Sequence, residues 1–202
     1  MPASPDPQEP PILNMTGDKV ALGPIRRDLV PLYQQWMNDF AVVRTLGARL
    51  RPMTHEAEAA WYEEASKNAT LFTIYERATM RPIGNTGLDD IDYFHRTAEF
   101  GILIGEKECW GKGYGTEATR LMLDYGFNGL GLHNIMLTAY SFNERGLRAY
   151  TRAGFRELGR QREAFRLGSQ TYDVVYMDCL AAEFESPVLQ RILQPGAARG
   201  GS

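Results

Sequence analysis

CWGKGYGTEA, residues Cys109 to Ala118, is the stretch on which the reading of this chain turns. Gly111, Gly113 and Gly115 stand between a continuous apolar run, FGILIG from Phe100 to Gly105, and an amphipathic segment over Thr116–Asn128. The first reads as a strand covered on both faces. The second reads as a helix whose buried stripe is Ala118, Leu121, Met122 and Tyr125. Glycines permit positive φ and let backbone N–H groups approach a ligand with no Cβ in the way. A helix start adds unpaired donors and the positive end of a dipole. Strand, glycine turn and helix start together make an anion cradle suited to a pyrophosphate.

Two common nucleotide patterns do not fit this turn. The G-x-x-x-x-G-K-[ST] loop is missing. A G-x-G-x-x-G fingerprint begun at Gly111 has its third glycine one position early, and begun at Gly113 it gives only a crude G-x-G-x-x-A ending in Glu117 and Ala118. The next strand, Leu132–Leu137, carries no acid to bind a ribose. Taken alone, the turn is either a ligand cradle or an ordinary tight turn.

Outward from the turn, the periodicity switches repeatedly. Lys19–Ile25 reads as a strand. Asp28 is placed to cap a helix carrying Leu29, Leu32, Tyr33, Trp36 and Met37 on one face. Thr54 is the expected N-cap of a second helix with Ala57, Ala60, Trp61 and Ala65 at helical spacing. Thr70–Glu76 is a strand and Arg81–Thr86 starts another, followed by the acidic run Asp89, Asp90 and Asp92 and a hairpin near Tyr93–Thr97. Asn134–Tyr140 is a strand, Asn143 caps a short helix that Gly154 ends, and two strands near Phe155–Phe165 and Thr171–Leu180 join through Gly168-Ser169. The order implies a mixed sheet with helices on its faces, an α/β or α+β architecture.

The chain has 202 residues, with 22 Lys and Arg against 25 Asp and Glu, a net charge of −3. That length suits one domain with a full core. The balance argues against a nucleic-acid partner, which calls for a basic field. No apolar run reaches the roughly 18–20 residues of a membrane span. Cys109 and Cys179 make no disulfide framework, so a reducing cytoplasm is the expectation. His55, His95 and His133 are scattered, with no metal-ligand spacing. Five of eleven prolines fall in residues 1–16. Proline removes a donor and fixes φ, so a flexible arm outside the sheet is expected there. Residues 183–202 read as a tail with at most one short helix over Pro187–Leu193, which leaves 17–182 as the domain.

A second segment, SFNERGLRAYTRAGF from Ser141 to Phe155, sharpens the reading. Asn143 sits at an N-cap and Tyr150 lies two turns further along the same face. In this order and separation, W-G-K-G-Y-G (Trp110–Gly115) and the Asn143, Gly146, Tyr150 pattern resemble the GNAT superfamily of acyl-CoA N-acetyltransferases. The likeness is nearest to the subgroup of ribosomal-protein N-terminal and spermidine acetyltransferases. It covers residues 17–182. Trp110 replaces the Gln or Arg usual in the family's pyrophosphate motif, a departure frequent in this subgroup.

The resemblance implies a mostly antiparallel sheet with one splayed parallel strand pair and helices on both faces. It implies acetyl-CoA as co-substrate, no metal, and direct attack of an amine in a ternary complex. The acceptor would be a protein N-terminus, a polyamine or another small amine. The backbone at Leu103 and Ile104 would pair with the pantetheine. Trp110, Gly111, Lys112, Gly113, Tyr114, Gly115 and Thr116 would hold the pyrophosphate, and Asn143 the pantetheine arm. Tyr150 would donate a proton to the departing sulfur. Glu99 is placed as a base acting through water, or as a structural carboxylate. An alkylamine has a pKa near ~10.4, so a base or a water chain would help. A homodimer joined through sheet edges or C-terminal segments would be in keeping with such folds. A non-catalytic CoA-binding module on the same fold is the alternative.

Overall fold

The computed structural model describes residues 10–47, 50–68 and 70–194. Most of the expected Pro-rich arm and the end of the expected tail lie outside them. Among the described residues, eight strands form one sheet in the order β1-β2-β3-β4-β5-β6-β8-β7. They are β1 (Met15–Thr16), β2 (Val20–Pro24), β3 (Thr70–Glu76), β4 (Arg81–Asp92), β5 (Thr97–Ile104), β6 (Asn134–Tyr140), β7 (Arg156–Leu167) and β8 (Gln170–Leu180). Every neighbouring pair is antiparallel except β5 and β6.

Helices cover both faces. On one face α1 (Val30–Asn38), α2 (Phe40–Val43) and α3 (His55–Asn68) lie over the β2–β5 half of the sheet. There Leu29, Tyr33, Trp36 and Tyr75 form a small core against Leu103. On the other, α4 (Tyr114–Asp124) and α5 (Glu144–Ala153) pack over the main core, in which Ile74, Ile83, Leu121, Met122, Ile135 and Leu137 are fully buried. Tyr75 and Ile74 go to opposite cores because successive strand residues point to opposite faces. A last short helix, α6 (Leu189–Leu193), closes the described chain.

Several expectations are corrected here. Met15 and Thr16 do enter the sheet, pairing with Leu22 and Ala21, so the segment outside it ends earlier than residue 16. Asp28 does not cap α1: Arg26 takes its carboxylate through Nε and Nη2 at 2.9 and 2.8 Å, and the helix begins at Val30, with Pro31 in its first turn. Thr54 does cap α3, its hydroxyl accepting from Ala57 N at 3.2 Å. The buried stripe of α3 is rotated, however: Glu58 is 3% exposed while Trp61 is 39% exposed. The strand begun at Arg81 runs on through the acidic residues to Asp92. The expected helix to Asn128 ends at Asp124 and continues as one π turn, Tyr125–Gly129. Residues 101–104 of β5 are half-buried rather than covered on both sides.

Beyond residue 182 the chain still packs on the main body. Val188 and Leu189 are buried, and the Phe184 ring lies 5.4 Å from that of Phe127. Asp124, with no exposed surface, accepts hydrogen bonds from Ser186 Oγ, Val188 N and Leu189 N at 2.6–2.9 Å.

Candidate active site

Strands β5 and β6 pair through only three rungs, Thr97–Asn134, Ala98–Ile135 and Glu99–Met136. Beyond Glu99, β5 continues beside β4 to Ile104, and β6 continues beside β8 to Tyr140. The two strands part after that rung, which opens a wedge between them. Backbone groups along the wedge have no ladder partner across it, and a sheet with this defect is ready to accept an extended ligand.

The glycine turn closes one end of the wedge. Gly111 and Gly113 take φ of +75° and +88°, a conformation that side chains with a Cβ rarely adopt. Gly113 is the N-cap of α4 and offers no capping side chain. The first-turn N–H groups therefore keep their donors and dipole for an anion. A Cβ built on Gly111 meets nothing within 4 Å, so the cradle has room. Glu117 lies in the same first turn, yet its carboxylate is turned aside: it accepts from the backbone N of Asp18, Lys19 and Val20 at 2.7–2.8 Å.

Turn, wedge and α5 enclose a cleft of about 280 Å³. Leu103, Ile104, Trp110, Gly111, Gly113, Gly115, Thr116 and Asn143 line it, as does Tyr150. The side chains of Lys112 and Tyr114 do not. Tyr114 Oη donates to Glu76 Oε1 at 2.6 Å, and both residues border a separate hollow with Asp18 and Lys19. The Ile104 carbonyl already accepts a hydrogen bond from Trp110 Nε1 at 2.8 Å. Asn143 caps α5 by accepting from Gly146 N at 3.1 Å, which leaves its Nδ2 as a donor for the cleft.

Tyr150 packs edge-on to Phe100 and Phe155, with ring centroids 6.2 and 6.3 Å away. Burial pushes its phenol up to about 12, against a smaller opposing effect of Arg145. Three arginines missed in the sequence, Arg145, Arg148 and Arg152, line the same cleft from α5. Their spacing of three and four residues is the signal that places them on one helix face. Arg145 stacks over the Trp110 ring, its guanidinium carbon 3.8 Å from the centroid.

Glu99 and Tyr150 lie on opposite sides of the sheet, because Tyr150 packs on Phe100 and consecutive strand residues point oppositely. Glu99 sits on the last paired rung, opposite Asp89 on β4, and accepts from Thr138 Oγ1 at 3.4 Å. It lines neither this cleft nor the next one. On its side of the sheet a second cavity, about 370 Å³, opens between α1, α3 and β3–β5. Glu58, Asp89, Arg51, Tyr33 and Trp61 line it. Trp36 does not: it is buried, its indole donating to Glu106 Oε1 at 2.8 Å. Ile102 and Leu103 border both cavities, so the two meet at β5. His55, His95 and His133 are exposed.

A family model for the acetyltransferase (GNAT) domain matches residues 19–156. The spermidine N(1)-acetyltransferase of Vibrio cholerae is 33% identical over 129 residues, 64% of this chain and 74% of that protein. Human alpha/beta-tubulin-N-acetyltransferase 9 is 30% identical over 158 residues, 71% of this chain and 75% of that one. A crystal structure of the Vibrio cholerae spermidine N-acetyltransferase in complex with CoA and spermine superposes with a TM-score of 0.75 at 25% identity. It covers 83% of this chain and 98% of that one. With a splayed β5–β6 pair, a glycine-capped helix beside it and these relatives, the chain belongs to the GNAT family and is an acetyl-CoA-dependent N-acetyltransferase.

Proposed function

We propose that the protein acetylates a small cationic amine of the polyamine class. One observation carries this reading: two cavities open on opposite faces of β5 and share Ile102 and Leu103, one bearing the anion cradle and the other carboxylates. Each substrate then has its own entrance, and the two can meet only at the wedge. The spermidine acetyltransferase among its relatives supports the same class of acceptor.

Acetyl-CoA supplies the activated acyl group. The chain's own residues bind, orient and move protons. N–H groups of Gly113 to Thr116 hold the diphosphate, and Asn143 Nδ2 fixes the pantetheine arm. An ammonium must lose a proton before its lone pair can attack, and Glu99, at the mouth of the wedge beside Asp89, takes it through water. Tyr150 keeps its proton at Oη throughout the neutral range, because burial disfavours the phenolate, and delivers it to the leaving sulfur. Both cysteines are buried free thiols, in keeping with work in a reducing cytoplasm.

Calorimetry with acetyl-CoA, CoA, ATP and NAD, followed by thiol release with spermidine, cadaverine and n-butylamine, tests the reading. CoA binding with turnover of spermidine is the expected result. CoA binding without turnover on any amine would point to a regulatory CoA-binding module instead.

A further inference from the structure

The cavity between α1, α3 and β3–β5 holds a carboxyl group for which no described residue supplies a partner. Glu58 is 3% exposed and lines that cavity. Its carboxylate makes no hydrogen bond or ion pair with any described residue. A carboxylate buried without a partner is costly, and a fold gains nothing from one unless a cation arrives from outside the chain. The site around it suits such a cation. Tyr33 and Trp61 meet edge-to-face in its wall, 6.0 Å between centroids, and Trp61, which is 39% exposed, is the aromatic surface open to an ammonium. Asp89 adds a second carboxyl group from β4.

The position of Glu58 also says which nitrogen it holds. It stands on α3, whereas the shared border of the two cavities is Ile102 and Leu103 on β5. The nitrogen that attacks must be neutral and must lie at that border. A nitrogen held by Glu58 is best kept charged. We propose that Glu58 is the specificity-determining residue for the acceptor, receiving the non-reacting ammonium of a substrate that carries at least two amino groups. This rests on the acceptor class proposed above.

The protonation of Glu58 gives a second readout. Desolvation pushes its carboxyl up to about 7. The titratable or charged groups facing it are Arg51 from the segment before α3, Tyr33 from α1 and Asp89 from β4. From β3 the lining is Leu71, and from β5 it is Gly101, Ile102 and Leu103, so neither strand adds a charge. Asp89 is also raised, by burial and by Asp90. Below neutrality Glu58 loses its charge, and with it the hold on an ammonium.

The test compares wild type, Glu58→Gln and Glu58→Asp with spermidine and n-butylamine between pH 6 and 8. The expected result for Glu58→Gln is a KM for spermidine raised about tenfold at pH 8, with kcat and CoA affinity unchanged. The KM for n-butylamine, which has one nitrogen, should stay within twofold. In wild type the spermidine KM should rise as the pH falls from 8 to 6, and this rise should flatten in Glu58→Gln. Glu58→Asp, which keeps the charge, should recover part of the affinity. Thermal melts exclude a folding artefact. A carboxyl raised on folding binds more protons in the folded state between about 4.5 and 7. Its contribution to stability therefore falls as pH rises through that window, and Glu58→Gln should match or exceed wild-type stability at pH 8. Wild-type turnover of spermidine with an unchanged KM in Glu58→Gln would overturn the role of Glu58 and leave the acceptor class standing. A wild type that binds CoA and turns over neither amine would overturn both.

Discussion

The Arg145 guanidinium lies over the Trp110 ring, 3.8 Å from its centroid, and so joins α5 to the glycine turn across the mouth of the cofactor cleft. Trp110 is anchored from below by its indole N–H on the Ile104 carbonyl. A partly desolvated cation–π pair contributes about 0.5–2 kcal/mol. Arg145→Ala should free the indole and remove a cation from the diphosphate's approach. We expect CoA to bind three- to thirtyfold more weakly, read by titration of the Trp fluorescence, with the thermal midpoint lowered by a few degrees. Wild-type affinity in that variant would show that the stack only decorates the surface.

Tyr150 is where acid catalysis is expected. Its hydroxyl should be dispensable for binding and needed for turnover. Tyr150→Phe should lower kcat by about 10²–10⁴-fold, the usual weight of a positioned acid, and leave the Kd for acetyl-CoA within twofold. Because burial raises the phenol to about 12, no loss of activity from its ionisation should appear below pH 10 in the wild-type profile. Equal kcat in the two proteins would remove Tyr150 from the chemistry.

These two cases also show how far the sequence could be read. The glycine turn and the Asn143–Tyr150 spacing are local patterns, and a local pattern survives folding: Asn143 caps α5 as its position requires. Arg145, Arg148 and Arg152 escaped because a row of arginines on a helix looks the same whether it faces water or a cleft. Glu58 escaped for a stronger reason. The helical spacing of Ala57, Ala60, Trp61 and Ala65 does not include Glu58, and the fold buries that residue while Trp61 stands over a cavity that only the assembled helices and sheet create. The wedge itself depends on where β5 and β6 stop pairing, which no run of residues encodes alone. Met15 and Thr16 entered the sheet because proline density in the preceding residues does not bar the residues after them.

The glycine turn makes its own prediction. Gly111 and Gly113 both hold positive φ, so an L side chain at either costs about 1–2 kcal/mol in strain. At Gly113 a Cβ would also come within 3.2 Å of Lys19 Nζ, which a flexible lysine can yield. Gly113→Val should lower stability by about that strain. CoA affinity should fall at least tenfold, because the bulk sits at the start of α4. Gly111→Ala should show the same strain with a smaller loss of affinity. Calorimetry on the folded variants separates the two effects, and a destabilised Gly113→Val with undiminished CoA affinity would move the diphosphate site away from this turn.

Asp124 ties the C-terminal segment to the helix that follows the turn. Its carboxylate takes Val188 N and Leu189 N at 2.9 and 2.8 Å, Ser186 Oγ at 2.6 Å and Asn128 Nδ2 at 2.9 Å. Asp124→Ala would leave the two backbone donors buried and unpaired, at about 1–3 kcal/mol each. Asp124→Asn keeps one acceptor oxygen in place and should cost roughly half as much. Unfolding in urea should show a midpoint lowered in that order. Limited proteolysis should cut near residues 184–190 in Asp124→Ala before the rest of the chain opens, because Val188 and Leu189 lose their backbone hydrogen bonds to α4. CoA affinity should change little, since neither Asp124 nor the segment lines the cleft. Simultaneous cleavage throughout the chain would show instead that the segment folds and unfolds as one unit with the sheet.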